Sequence, residues 1–159
     1  MSTPMEQLYQ QVILDQSRAR IGNTDLLRDS AQAPHGSSHQ VNPTCGDEIE
    51  LETELLDDEH LAVRWTGDGC SISMASASVL SELAAENSVA EMLRIESAFH
   101  ELMHSRGTME ADEGILGDAA AFSGVSKFPA RIKCALLSWM AFKDALNQAQ
   151  AAREEKHHA

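Results

Sequence analysis

Two short runs of alternating apolar and polar residues constrain the fold of this 159-residue chain most strongly. The run 48–55 reads EIELETEL, the run 61–65 reads LAVRW, and an acidic turn at 57–59 separates them. Alternation with a period of two is typical of strands that bury one face, and a short polar connection between two such strands indicates a β-hairpin. The sequence therefore predicts two antiparallel strands, with one face towards a core and the other towards water.

Helical periodicity dominates the rest of the chain. Ser88 followed by Glu91 is a capping box, which marks the start of a helix. Pro129 suits the first turn of another helix, because proline has no N–H to leave unpaired there. The predicted helices cover residues 5–20, residues 73–85, the stretch after Ser88 and the stretch that begins at Pro129.

Polar composition predicts less regular structure elsewhere. Residues 23–44 are rich in Ser, His, Gln and Pro, so we expect a loop with at most one weak edge strand around 39–41. Residues 105–126 are acidic, contain glycine and are only weakly helical in pattern. The length allows one domain with a real core, which we assign to residues 1–150, followed by a charged tail at 151–159.

The overall charge and hydropathy exclude several classes of function. The formal net charge is −13, and such a field repels phosphate backbones, so we expect no nucleic-acid partner. No apolar run approaches the ~20 residues of a membrane span. The first residues show neither a basic start nor an apolar signal region, so we expect a cytoplasmic protein, in which thiols stay reduced.

The chain has three cysteines, each in its own short motif: Cys45 in NPTCGD, Cys70 in GDGCSIS and Cys134 in FPARIKC. Cys45 and Asp47 precede the first predicted strand and Cys70 follows the second, so an antiparallel hairpin brings these residues to one end. Thiolates and a carboxylate can bind zinc there, with Cys134 completing a set of four ligands. Spacing and topology alone are equally compatible with three buried, inert thiols.

The sequence contains a second candidate zinc-binding motif. The residues from His100 to His104 read HELMH and match the H-E-x-x-H helix motif of zinc proteases. The apolar neighbours Phe99 and Leu102 predict the buried stripe of this helix, which leaves the two histidines near its surface. No third histidine of the longer protease pattern follows. We therefore expect no protease site here.

Three blocks of sequence carry a resemblance to a known family. Residues 42–47, residues 67–78 (GDGCSISMASAS) and residues 124–139 (GVSKFPARIKCALLSW), in this order, resemble the SufU-type proteins of iron–sulfur cluster assembly, relatives of the IscU scaffolds. The resemblance extends over residues 8–139, nearly the whole domain. Residues 23–41 match the family poorly.

Three details favour the SufU branch of this family. Lys133 stands immediately before the last cysteine, where IscU-type scaffolds have a histidine. Residues 105–126 resemble an insertion that is typical of SufU proteins. The Pro-Pro-Val-Lys element that scaffolds present to a chaperone is also absent, and Pro129-Ala130-Arg131 stands in its place.

The resemblance implies a fold, a cofactor and a function. The fold would be α+β, a small antiparallel β-sheet packed against several α-helices. Zn²⁺ would be bound by Cys45, Asp47, Cys70 and Cys134. The protein would be a zinc-dependent sulfurtransferase, in which Cys45 accepts persulfide sulfur from a SufS-type, PLP-dependent cysteine desulfurase. Arg131 resembles a family arginine beside the site and would be its second catalytic residue.

Two other functions use the same cysteines. The first is a scaffold on which a [2Fe–2S] cluster is assembled. The second is a structural zinc domain that only binds partners, for which Cys45→Ala would unfold the protein. The lysine before Cys134 favours sulfur transfer over the scaffold.

Overall fold

A three-stranded antiparallel sheet and five α-helices make up the computed structural model, which describes residues 3–158. The strands are β1 (His35–Asn42), β2 (Asp47–Leu55) and β3 (Leu61–Asp68). The helices are α1 (Pro4–Ala19), α2 (Ser71–Glu86), α3 (Val89–Met103), α4 (Glu113–Leu116) and α5 (Pro129–His158). Short 3₁₀ helices cover Arg28–Ser30 and Gly117–Lys127. Within residues 3–158, none of the helices is both long and apolar enough to cross a membrane.

The sheet buries one face beneath α5. Its strand order is β1–β2–β3, and Leu51 of β2 pairs with Trp65 of β3. Both side chains are fully buried, and α5 packs against β1 and β2. At Gly36 in β1, a Cβ atom would lie 2.4 Å from the carbonyl oxygen of Ala145. The missing side chain therefore allows β1 and α5 to lie in close contact.

Helix α2 is the central helix and contacts α1, α5 and β3. Its residues 73–81, mostly Ser and Ala, are all buried, and small side chains allow neighbouring helices to approach closely. The Oγ of Ser76 donates to the carbonyl oxygen of Ala135 (2.6 Å) and accepts from Nε1 of Trp139 (2.9 Å). Trp139 in turn stacks on Phe99 with ring centroids 4.6 Å apart. These contacts hold α2, α3 and α5 in one core.

The predicted α+β class, a small antiparallel sheet packed against several helices, is confirmed. The hairpin and all four predicted helices are present. At the start of α3, the Oγ of Ser88 accepts from the N–H of Glu91 (3.2 Å) and donates to its Oε1 (3.1 Å). Pro129 is the first residue of α5, as its position in the sequence predicts.

The prediction for residues 23–44 was wrong in one respect. Instead of a loop with a weak edge strand, β1 is a strand of eight residues. Its His, Gly, Ser and Gln residues have little strand propensity of their own. Packing against α5 buries Gly36 and Ser38 and stabilises the strand.

The prediction that the outer face of the hairpin is open to water holds at Glu48, which is exposed, but was wrong at Glu52 and Glu54. Glu52 is 0% exposed and Glu54 is 7% exposed. Glu52 Oε1 accepts hydrogen bonds from Nη2 of Arg64 (2.7 Å) and from the backbone N–H of Leu27 (3.0 Å). The segment before β1 folds over this face, because the Glu52 carboxylate accepts hydrogen bonds from the backbone N–H groups of that segment.

The residues from 151 to 158 are helical and continue α5, so the prediction of a frayed tail was wrong for them. The distinction between a domain of residues 1–150 and a tail at 151–159 stays a prediction.

A buried hydroxyl group in β2 provides a test of the packing. Thr53 is fully buried, and its Oγ1 has no hydrogen-bond partner among the described residues. An unpaired buried hydroxyl costs about 1–3 kcal/mol. We expect Thr53→Val, which keeps the shape, to raise the free energy of unfolding by about 1 kcal/mol in chemical denaturation. Thr66→Val, at a partly exposed position in β3, is the control and should change it by less than about 0.5 kcal/mol. A loss of stability in Thr53→Val would contradict the unpaired hydroxyl.

Candidate metal centre

The turn between β1 and β2 presents Cys45 at the protein surface. The backbone N–H groups of Cys45 (3.2 Å) and Gly46 (2.9 Å) donate to the carbonyl oxygen of Asn42. Gly46 has a φ of +74°, a conformation that glycine adopts at little cost. The turn therefore holds Cys45 exposed and places Asp47 on the first residue of β2.

Asp47 is the buried anchor of the site, at 0% exposure. Its Oδ1 accepts a hydrogen bond from the backbone N–H of Cys70 (2.8 Å), and its Oδ2 accepts one from the Oγ of Ser73 (2.6 Å). Cys70 is the residue that precedes α2, and Ser73 lies in the first turn of that helix. The carboxylate therefore lies at the amino end of a helix, where negative charge is stabilised.

Cys134 reaches the same place from α5. Its side chain is 4% exposed, and its Sγ lies 3.5 Å from the Sγ of Cys45. Nδ2 of Asn42 lies 3.9 Å from this sulfur and donates to it. All three cysteines are free thiols. The predicted convergence of the hairpin end and the last helix is thus present in the structure.

The side chains at this point fit a thiophilic metal ion. Ligand atoms of Cys45, Asp47 and Cys134 all lie within 4.8 Å of one another, and no other group of three or more potential ligands of this kind occurs among residues 3–156, whose side chains the structure describes. The Sγ of Cys70 lies 3.6 Å from Oδ2 of Asp47. Two sulfur atoms bound tetrahedrally to one zinc ion at ~2.3 Å lie about 3.8 Å apart, close to the spacing of Cys45 and Cys134. Thiolates with a carboxylate are a donor set that zinc accepts.

The two buried groups of the site differ in their protonation. Burial raises the pKa of the Asp47 carboxyl, but hydrogen bonds from Ser73, the Cys70 N–H and the thiols outweigh it and bring that pKa below its ordinary value. Burial, together with the hydrogen bonds to Asp47 and the neighbouring thiols, raises the pKa of Cys134. Without a metal ion, Asp47 is therefore ionised and Cys134 is a neutral thiol at pH 7. A metal ion bound by this sulfur would displace its proton.

Arg131 lies about one helical turn from Cys134 and is not part of this cluster. It stands three residues before Cys134 in α5, so both residues are on one side of the helix. Arg131 is exposed, and its guanidinium lies 4.9 Å from the ring centroid of Phe128. It makes no salt bridge within the described residues.

The H-E-x-x-H motif does not form a metal site with a third ligand in the part of the chain that the structure describes. His100 and His104 are both exposed, and their ring centroids lie 4.2 Å apart. Nδ1 of His104 is 2.8 Å from the carbonyl oxygen of His100. The expectation that these histidines lie at the helix surface is confirmed.

Sequence reasoning missed three residues that shape the site: Asn42, Gly69 and Ser73. Each lies within three residues of a predicted ligand and inside one of the cysteine motifs. Nearness to a ligand is the only signal in the sequence. Their contacts with Cys134 and Asp47 depend on how separate elements pack.

Gly69 makes room for the Asp47 carboxylate. A Cβ atom at this position would lie 2.4 Å from Oδ1 of Asp47, so one of the two groups would have to move. We expect Gly69→Ala to weaken zinc binding at least ~10-fold, the usual cost of disturbing the groups behind a ligand, in a competition titration with a chelator. Gly124→Ala is the control, because its Cβ would meet nothing within 4 Å. Equal zinc affinities of the two variants would contradict this role of Gly69.

Comparison with known proteins identifies the family of this chain. Residues 8–135 match the model of the NifU-like N-terminal domain family. The zinc-dependent sulfurtransferase SufU of Bacillus subtilis is 41% identical over 140 residues, which cover 87% of this chain and 89% of that protein. The iron–sulfur cluster assembly scaffold protein IscU of Streptococcus pyogenes is 33% identical over 149 residues, covering 94% of this chain and 89% of the relative.

Solved structures show the same likeness. The crystal structure of a protein described as an iron–sulfur cluster assembly scaffold for the SUF system, from Fervidobacterium islandicum, has a TM-score of 0.73 and 30% sequence identity. The match covers 89% of this chain and 98% of that one. The chain therefore belongs to the NifU-like N-terminal domain family, among the SufU- and IscU-type proteins of iron–sulfur cluster assembly.

Proposed function

We propose that this protein is a zinc-dependent sulfurtransferase that accepts sulfur from the persulfide of a SufS-type, PLP-dependent cysteine desulfurase. One observation carries the proposal: an exposed thiol, Cys45, lies in contact with a buried thiol, Cys134, and near the buried carboxylate of Asp47. The exposed thiol can meet a sulfur donor on another protein, while the buried groups can retain a metal ion. The relation to a named zinc-dependent sulfurtransferase supports the same function.

The sulfur transfer itself is a thiol–disulfide type of exchange. The thiolate of Cys45 attacks the outer sulfur of the desulfurase persulfide, and a new S–S bond forms on Cys45. The S–S bond of the desulfurase breaks, and its cysteine leaves as a thiolate with the electron pair. Cys45 then carries the persulfide, and no external oxidant or reductant is consumed.

The other residues of the site prepare Cys45 for this step. We assign Cys45, Asp47, Cys70 and Cys134 as the ligands that would hold zinc. Bound zinc would keep these thiols deprotonated at neutral pH. Asn42 fixes the turn that carries Cys45, through hydrogen bonds from the backbone of Cys45 and Gly46.

Arg131 contributes a positive charge next to the transfer site. Its guanidinium is exposed and held over Phe128, so it is available to an incoming persulfide or thiolate. We propose that it stabilises the negative sulfur of the donor.

The proposal also places the protein in the cytoplasm, where thiols stay reduced and able to accept sulfur.

A scaffold for a [2Fe–2S] cluster is the second candidate. The same three thiols could hold iron, and a relative of this chain is named as a scaffold. Lys133 occupies the position before Cys134, and this side chain is exposed. A lysine ammonium group is no ligand for iron at neutral pH, so the scaffold would have to assemble its cluster without a ligand from this position.

The test is the turnover of the desulfurase with and without the zinc-loaded protein. We expect the wild-type protein to increase the rate of alanine formation at least ~10-fold and Cys45→Ala to abolish this increase while remaining folded, since loss of a nucleophile removes the covalent step. Thr44→Ala, a neighbouring exposed position in the same turn, is the matched control and should stimulate normally.

Metal analysis of the same preparations separates the two candidates. One zinc per chain with no iron agrees with the sulfurtransferase. Absence of stimulation, together with iron and acid-labile sulfide on the wild-type protein, would contradict it and support the scaffold. An unfolded Cys45→Ala would instead indicate a structural zinc domain.

A further inference from the structure

Ser73 is a buried hydroxyl group that touches two of the four proposed ligands. Its side chain is 3% exposed. Its Oγ lies 2.6 Å from Oδ2 of Asp47 and 3.5 Å from the Sγ of Cys70. Among the residues that the structure describes, the side chain of Ser73 has no hydrogen-bond partner other than Asp47 and Cys70.

The hydroxyl has one proton and two neighbours that can accept it. The distance to Asp47 is that of a short O–H···O⁻ hydrogen bond, whereas 3.5 Å to sulfur is a longer and weaker contact. The proton of Ser73 therefore points to Asp47. Ser73 acts on the carboxylate, and its contact with Cys70 is secondary.

The start of α2 explains why the carboxylate needs this partner. In an ordinary capping box, the third helical residue reaches back to the N–H of the residue that caps the helix. In this protein Cys70 occupies the capping position but makes no side-chain capping bond. The carboxylate of Asp47, from another element, accepts from both the N–H of Cys70 and the hydroxyl of Ser73. A metal ion would displace the protons of the thiols, so that the Cys70 N–H and the Ser73 hydroxyl remain as donors, one on each oxygen, and fix the plane of the carboxylate.

We propose that Ser73 is a positioning residue for the metal centre, which holds the Asp47 carboxylate in the orientation required for binding zinc. This inference rests on the zinc-binding part of the proposed function. A carboxylate oxygen has two lone pairs, so each oxygen of Asp47 keeps one lone pair free once the thiols have lost their protons to metal binding. Without Ser73 the carboxylate can rotate about its remaining hydrogen bond, which comes from the N–H of Cys70. Its oxygens are then no longer fixed in the orientation required for binding zinc.

The experiment is a double-mutant cycle on zinc affinity, measured by chelator competition at a temperature at which circular dichroism shows every variant folded. We expect Ser73→Ala to weaken zinc binding about 10-fold, as is usual for a group that orients a ligand. Ser71→Ala, an exposed serine in the same helical turn, is the matched control and should change the affinity less than about twofold. In an Asp47→Ala background, Ser73→Ala should have no further effect, because the residue acts through that carboxylate.

Two outcomes would overturn the inference. The first is wild-type zinc affinity in Ser73→Ala, and the second is an equal loss with and without Asp47, which indicates a purely structural role. If Ser73→Ala does not fold, Ser73→Thr and Ser73→Val provide a pair of equal shape, of which only threonine keeps the hydroxyl and should bind zinc more tightly.

The result also separates this inference from the proposed function. A protein that binds zinc and stimulates the desulfurase, but shows no coupling between Ser73 and Asp47, would remove only the role of Ser73. A wild-type protein that binds no zinc would contradict the proposed function itself.

Discussion

The buried carboxylate of Asp47 connects the parts of this protein that form the metal centre. It begins β2, lies at the amino end of α2, and accepts hydrogen bonds from the Cys70 backbone and the Ser73 side chain. Burying a charge without partners is costly, so the surrounding chain must supply donors. Gly69 has no side chain to obstruct the carboxylate. The packing of the sheet against α2 and the geometry of the candidate site therefore depend on the same group.

The division between exposed and buried thiols gives the site its proposed chemistry. Cys45 and Cys70 are exposed, whereas Cys134, which lies on α5, is buried. A buried neutral thiol is a poor nucleophile, so Cys134 suits retention of a metal ion, and the exposed Cys45 suits attack on a partner. The net charge of −13 does not determine this arrangement. It is determined by the turn at Gly46, which directs Cys45 outwards, and by the contact of the hairpin with the last helix.

Much of this arrangement could be predicted from the sequence. Alternation at 48–55 predicts the hairpin, and the hairpin predicts that Cys45, Asp47 and Cys70 meet. The length of β1 could not be predicted, because its polar residues become a strand only through packing against α5 at Gly36. Burial of Glu52 was missed for a related reason, since its partners Arg64 and Leu27 come from other segments. The role of Ser73 depends on a contact between β2 and α2 that no local pattern reports.

The most direct test of sulfur transfer is to follow the sulfur atom. Zinc-loaded protein is mixed for a single turnover with the desulfurase and cysteine that carries radiolabelled sulfur, and the thiols are alkylated and mapped by mass spectrometry. The account predicts a labelled persulfide on the peptide that contains Cys45 and no label on the peptide that contains Cys134. Label that remains on the desulfurase, or that appears on this protein only as acid-labile sulfide together with iron, would contradict it.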